Sequence, residues 1–322
     1  MACSLNRCVQ LLLVVALLLA SLSSIAADSA LIIRGKTDIF EEILSGLKDD
    51  LDNEVTLTEL IINKNTTPKD IAKRLQKQSP NIIILMGNKS VNLYASYQEK
   101  YNDEKFPPAI AMGALFIDKF FPQLQNSMAI RFEIPAVTSA VAMREIVSHS
   151  VKKIGVVYRE WMTDIIAENK RYCLDEGIEL VGIKLPNKMN NVSKQVNLAL
   201  EKLSKEVDAM WVLNDNGLLT RDALVNAWLP QRSNSPLPAI VGIKHFITKL
   251  PLGSFAIVPD NYALGAQAAG IVFDLKDNDW IIESATVQQP FSIKKFINEV
   301  TLKNKGIKYQ SNMLNLADEV IQ

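Results

Sequence analysis

The chain has 322 residues, 48% of them hydrophobic, which is enough for two ordinary domains with substantial cores. Its 35 Lys and Arg balance 35 Asp and Glu, so it carries no cationic excess of the kind that draws a protein onto nucleic acid or an anionic membrane surface. That balance favours a small-molecule role and argues against a nucleic-acid partner.

In chain order, the first segment is an export signal. Arg7 supplies a basic start, Leu11 to Leu19 an apolar core, and Ser24-Ile25-Ala26-Ala27 the small residues of a cleavage site. The apolar run is short of the ~20 residues a membrane span needs, so residues 1–26 are expected to be a cleavable signal peptide and the rest a soluble, monomeric protein of the periplasm. Cys3 and Cys8 precede the apolar core, so no cysteine follows the cleavage site to carry a lipid, and a lipoprotein is not expected. Cys173 alone remains after cleavage, which rules out an internal disulfide and fits a small buried apolar residue.

The mature chain then alternates strand and helix signals. Ala30 to Ile33 reads as a strand, and Asp38 with Glu41 opens a helix whose buried face is Ile43, Leu44, Leu47 and Leu51. Val55 to Ile62 is a second strand, after which Thr67-Pro68 starts a helix carrying Ile71, Ala72 and Leu75. Asn81 to Met86, Ala109 to Met112 and the extended Ser127 to Ile134 follow, with a helix after Asn88. A helix over 138–149 follows, and the strand Lys152 to Tyr158 opens a second array. It continues through the helix Thr163 to Glu176, strand Ile178 to Lys184, helix Ser193 to Lys205 and strand Val207 to Leu213. A helix over 217–229, a Ser- and Pro-rich linker over 231–238, strands Ala239 to Ile243 and Phe255 to Val258, and a helix from Asn261 to Leu275 complete it. The small residues Gly265, Ala266, Ala268, Ala269 and Gly270 on the last helix permit close packing. Two such βα arrays predict an α/β protein of two doubly wound parallel-sheet lobes with a ligand cleft between them.

Asn214-Asp215-Asn216 stands at the carboxyl end of the apolar strand Val207 to Leu213, where open α/β sheets bind ligands. A capping role for Asp215 or Asn216 is the plainer alternative. Enzyme signatures are missing: His149 and His245 are the only histidines, and there is no Gly-x-Ser-x-Gly, no Gly-x-Gly-x-x-Gly after the first strand, and no Cys/His cluster with metal spacing. No cofactor, metal site or catalytic residue is expected, with a carboxylate-dependent enzyme as the less favoured alternative.

Several pieces in fixed order resemble one family. They are Lys153-Ile154-Gly155-Val156-Val157-Tyr158, Glu176-Gly177-Ile178-Glu179-Leu180, Val207-Asp208-Ala209 leading to Asn214-Asp215-Asn216, Asp260-Asn261-Tyr262-Ala263-Leu264-Gly265, and Leu316-Ala317-Asp318-Glu319-Val320-Ile321. Together they are similar to the substrate-binding proteins of ABC transporters with the type I periplasmic-binding-protein fold, in the tryptophan/tyrosine-type branch. The resemblance implies a Venus-flytrap protein in which two lobes close on a solute and deliver it to an ABC permease of the inner membrane. Docking on a sensor kinase or receptor is the alternative output. It also implies three crossings, near Glu133, Pro259 and Trp280, giving an N-terminal lobe of residues 27–133 plus 260–279 and a C-terminal lobe of 134–259 plus 280–322. Candidate ligand-binding residues at strand ends are Lys36, Thr37, Gly87, Asn88, Ser90 and Gly113 in the first lobe. Tyr158, Trp161, Asn214, Asp215 and Lys244 are the candidates in the second, with Tyr158 or Trp161 stacking on a flat solute and Asp215 pairing with an amino group. An amino acid or other carboxylate is the candidate ligand. Lys244 stands where the family commonly has an acidic residue, which implies either a more anionic ligand or loss of the family's usual solute.

Overall fold

A computed structural model of the chain describes residues 28–102 and 105–322, so the expected signal over 1–26 lies outside the described residues. The strands are β1 (Ser29–Arg34), β2 (Thr56–Ile61), β3 (Ile82–Met86), β4 (Ala109–Met112), β5 (Ser127–Ile130), β6 (Lys153–Arg159), β7 (Glu179–Leu185), β8 (Ala209–Val212), β9 (Ala239–Val241), β10 (Phe255–Pro259), β11 (Val287–Gln288), β12 (Ile293–Asn298) and β13 (Glu319–Ile321). They form two sheets, ordered β11-β5-β4-β3-β1-β2 and β13-β12-β10-β9-β8-β6-β7. All pairings are parallel except β10 with β12. Strands covered on both faces have no need of alternation, and the Ile-Ile-Ile-Leu-Met of β3 is buried at every position.

Helices between the strands cover both faces of each sheet. Thr37 caps the helix Asp38–Leu51 by accepting from the Phe40 N–H, and the Thr67 N–H donates to Asp70 to fix the start of Pro68–Gln78. The helix Asn261–Asp277 returns to the first sheet and lies directly on Asp38–Leu51. A Cβ on Gly265 would stand 2.0 Å from the Ile43 carbonyl oxygen, and one on Gly46 2.0 Å from that of Tyr262. The two backbones therefore touch, as the small residues read from the sequence allow.

Some boundaries differ from the sequence reading. β11 pairs with β5, Val287 opposite Ala129, so residues through Gln288 stay with the first sheet. The third crossing therefore falls between β11 and β12 and not near Trp280; a two-residue strand has no periodicity to read. The segment expected to be helical over 217–229 and a linker over 231–238 is one irregular helix from Arg221 to Asn234, with a π turn over Leu224–Trp228. Pro230 follows that turn and cannot supply the N–H that an α ladder would use. The expected strand Ser127 to Ile134 stops at Ile130, and the expected helix over 138–149 spans Ala136–Arg144.

Candidate functional site

The carboxyl ends of β4 and β5 meet those of β8, β9 and β10 across a cleft beside the crossings. Two adjoining crevices lie there. One, a narrow crevice with about 30 Å³ of accessible space, is lined by Phe116, Arg131, Glu133, Glu168, Trp211 and Gln289 among others. The other, narrower still at about 20 Å³, has Glu133, Ser139, Trp211, Asn214, Gly242 and Pro259 in its walls. Glu133, Ile134, Trp211 and Leu213 belong to both.

Direct contacts bridge the lobes. The Phe116 ring meets Trp161 edge to face at 5.2 Å between centroids, and the Lys119 ammonium lies 4.2 Å from the Trp161 ring centroid. Arg131 holds both Asp118 oxygens, at 2.7 and 2.8 Å, and reaches Glu168 of the second lobe at 3.3 Å. Phe116 adopts a left-handed backbone, φ 55°, that aromatic residues rarely occupy. Its N–H donates to Glu133 at 2.7 Å, which helps hold that turn.

Burial pushes the Glu133 carboxyl up to about 8, and Asp118 adds to the effect while the Phe116 N–H opposes it. The folded protein thus binds a proton that the unfolded chain releases near its ordinary 4.5. The sign follows: stability from this group is full below about 4.5, falls as pH rises toward 8, and is flat above that. Glu133→Gln is expected to flatten this part of the stability–pH curve and to exceed the parent in stability at pH 8 and above. Urea unfolding from pH 4.5 to 9 checks it, and parallel curves for the two proteins would contradict it.

Among the sequence candidates, Trp161 joins the interlobe contact and Asn214 lines the second crevice. The Asn214 amide donates to the Gly242 carbonyl at 3.3 Å, while its carbonyl oxygen is buried with no partner. The others are placed differently. Asp215 is bound bidentately by Arg159, at 2.6 and 2.7 Å, and also accepts from the Gly217 N–H, so it is not free for a ligand amino group. Lys244 turns along the sheet face to Glu319 at 2.5 Å, its ammonium 4.5 Å from the Phe296 ring centroid, and does not project into the cleft beside Asp215. The reason is register: Phe296 and Glu319 are paired neighbours on β12 and β13, within reach of a lysine stem leaving β9. Tyr158 is buried against Gly182 of β7 and lines neither crevice.

In the first lobe, Asn88 donates to the Leu115 carbonyl at 2.6 Å and accepts its N–H at 2.9 Å, Ser90 donates to the Met86 carbonyl, and Thr37 is a helix cap. These three are structural. Lys36 is exposed. The ring of Phe40 lies over Gly87 and Gly113, which have φ of 84° and 61°. Removing the Asn88 amide strands two backbone groups, so Asn88→Ala is expected to cost about 1–3 kcal/mol, read by chemical denaturation. A change below a few tenths would count against the clamp.

Sequence reasoning missed Phe116, Arg131, Trp211 and Gln289 on the crevice walls, and gave Glu133 only a hinge role. Arg131 and Glu133 carried a usable signal, since two charged residues close after β5 and just before Pro135 are unusual for an extended segment. Gln289 carried none, because its place depends on β11.

Two α/β lobes, each built on a mostly parallel sheet, meet at a polar and aromatic cleft at their strand ends. The sequence profile of the family described as "ABC transporter substrate binding protein" matches residues 133–321, more than half of the chain, and the chain belongs to that family. Solved structures share the fold. A ligand-free, open substrate-binding protein with adhesive properties from Clostridium difficile superposes with a TM-score of 0.67 at 14% identity, covering 92% of this chain and 99% of that one. A conserved domain protein from Vibrio cholerae gives 0.58 at 17% identity, covering 91% and 99%. A Streptococcus pneumoniae ABC domain in complex with L-Trp gives 0.55 at 14%, covering 91% and 100%. No curated protein matches the chain. Among the described residues no helix is long and apolar enough to cross a membrane, and no group of three or more His, Cys, Asp or Glu is arranged to hold a metal ion.

Proposed function

We propose that this protein captures a small solute between its two lobes outside the cytoplasm and presents it to an ABC import permease, without catalysing a reaction. The observation that carries the reading is the pair of crevices where the strand ends of both sheets meet, walled by Phe116 and Trp211 and holding the partnerless carbonyl of Asn214. Such concave, mostly apolar sites with a few placed polar groups are where folds of this kind take ligands. Family membership supports delivery to a permease and an extracytoplasmic location, and the basic start, apolar core and small residues of 1–26 support removal of a signal peptide. The L-Trp held by the Streptococcus pneumoniae relative brings an aromatic amino acid into the set to be tried.

The test is a thermal-shift screen of amino acids, small carboxylates, nucleosides, sugars and aromatic amides on the chain from Asp28. A solute at one hundred times its dissociation constant adds about 2.7 kcal/mol of stability. Stabilisation by one chemical class, with the solute recovered unchanged, supports the reading. Turnover of a hit, or no stabilisation by any class, overturns it.

A further inference from the structure

We propose that Phe116 is the chain's own occupant of the cleft: a ring carried by the first lobe that plugs into the second and draws the empty protein closed. The inference goes beyond solute capture, since it concerns the protein with no solute present.

Phe116 is 6% exposed, yet it is not buried in the lobe that carries it. Its neighbours Ala114 and Ile117 belong to a core cluster of the first sheet. Phe116 itself belongs to a core cluster of the second lobe, with Met162, Ile166 and Trp211, and every other buried member of that cluster lies after residue 133. The left-handed backbone at Phe116, φ 55°, is what turns the ring away from its neighbours. An aromatic residue holds such a conformation only where surrounding contacts impose it, and here the contacts of the ring are across the cleft.

The seat is built by the second lobe. The Trp161 main-chain N–H donates to the Asn187 side chain at 2.9 Å, and the Arg159 guanidinium stands 5.6 Å from the indole centroid, so Trp161 is held by its own lobe. Phe116 meets it at an interplanar angle of 86°. Two more contacts cross at the same place. Lys119, on the first lobe, lies over the indole, and Arg131, anchored on Asp118, reaches Glu168. An aromatic pair, a cation over a ring and an ion pair therefore all favour the closed arrangement, and none of them involves a solute.

With the ring seated, the two crevices keep about 30 and 20 Å³, room on the order of a water molecule each. A solute enters only as the ring withdraws. The empty protein thus exchanges between this closed form and an open one, and the burial of Phe116 sets the balance between them.

Small-angle scattering of the chain from Asp28, with no solute added, tests this by comparing the parent with Phe116→Gly and Trp161→Ala. Glycine suits the left-handed backbone, so the first variant removes the ring and keeps the turn. The second removes the seat from the opposite lobe. Each is expected to show a larger radius of gyration than the parent while still unfolding in one cooperative transition. Val196→Ala is the control: it truncates a core side chain on the helix Val192–Leu203, lines neither crevice, and is expected to scatter as the parent does. Radii equal to the parent's in either ring variant overturn the proposal, and so does an equal expansion of the control. Solute capture stands or falls separately, because the samples contain no solute.

Discussion

Gly265→Ala is expected to destabilise the protein by about 3 kcal/mol or more. The added methyl would lie 2.0 Å from the Ile43 carbonyl oxygen and 2.7 Å from the Leu47 nitrogen. Both are main-chain atoms of the facing helix, so no rotamer change relieves the clash and the helices Asp38–Leu51 and Asn261–Asp277 have to move apart. Overpacking a core commonly costs 1–3 kcal/mol, and a contact with backbone belongs at or beyond the top of that range. The displaced helix packs on the first sheet through Leu264, Ala268 and Val272, which are buried in one cluster with Ile43, Leu44 and Leu47. Gly270→Ala is the control, because a Cβ there meets nothing within 4 Å. Exchanging Gly for Ala on an open helical face is expected to stabilise by up to about 1 kcal/mol. Urea unfolding of the two variants separates them, and equal midpoints would contradict the packing described.

The second large effect is expected at the Arg159–Asp215 pair. Asp215 has a side chain 2% exposed and Arg159 one 23% exposed, and they share two hydrogen bonds under 2.8 Å. Arg159→Met leaves a buried carboxylate with only the Gly217 N–H, and removing one partner of such a pair costs about 3–5 kcal/mol. Asp215→Asn in the same chain removes the stranded charge, so the double variant is expected to recover most of the loss. Denaturant midpoints of the parent, both single variants and the double variant close the cycle. A double variant as unstable as Arg159→Met would show that the arginine acts through packing.

The distribution of what the sequence revealed follows from range. β1, β3, β4, β6 and β8 are legible because strands covered on both faces are apolar through their buried middle, and the cap at Thr67 is settled within three residues; the first helix reads as opening on Asp38 with Glu41, whereas Thr37, expected as a ligand residue, is its cap. The close helix crossing is legible as well, since Gly265 with Ala266, Ala268 and Ala269 leaves little side chain to separate two backbones. The site was less legible. Polar residues at strand ends are all candidates from sequence, and what divides them is which partner each finds far along the chain. Asp215 finds Arg159, Asn88 finds Leu115, and Lys244 finds Glu319, 75 residues away. Those pairings turn apparent ligand groups into internal ones; of the polar side chains read from the sequence at these strand ends, Asn214 keeps a carbonyl oxygen without a partner, buried beside the cleft. Gln289 was hidden for the related reason that β11 has two residues and exists through its pairing with β5.

The central claim is that the two lobes close on a solute about the crossings after β5, β10 and β11. A ligand drives closure only to the extent that it binds the closed form better, as a solute held by residues of both lobes at once would. Small-angle scattering of the chain from Asp28, with and without a ligand confirmed by the thermal screen, tests this most directly. The account predicts a smaller radius of gyration in the liganded sample. Superimposable scattering curves at saturating ligand would contradict it.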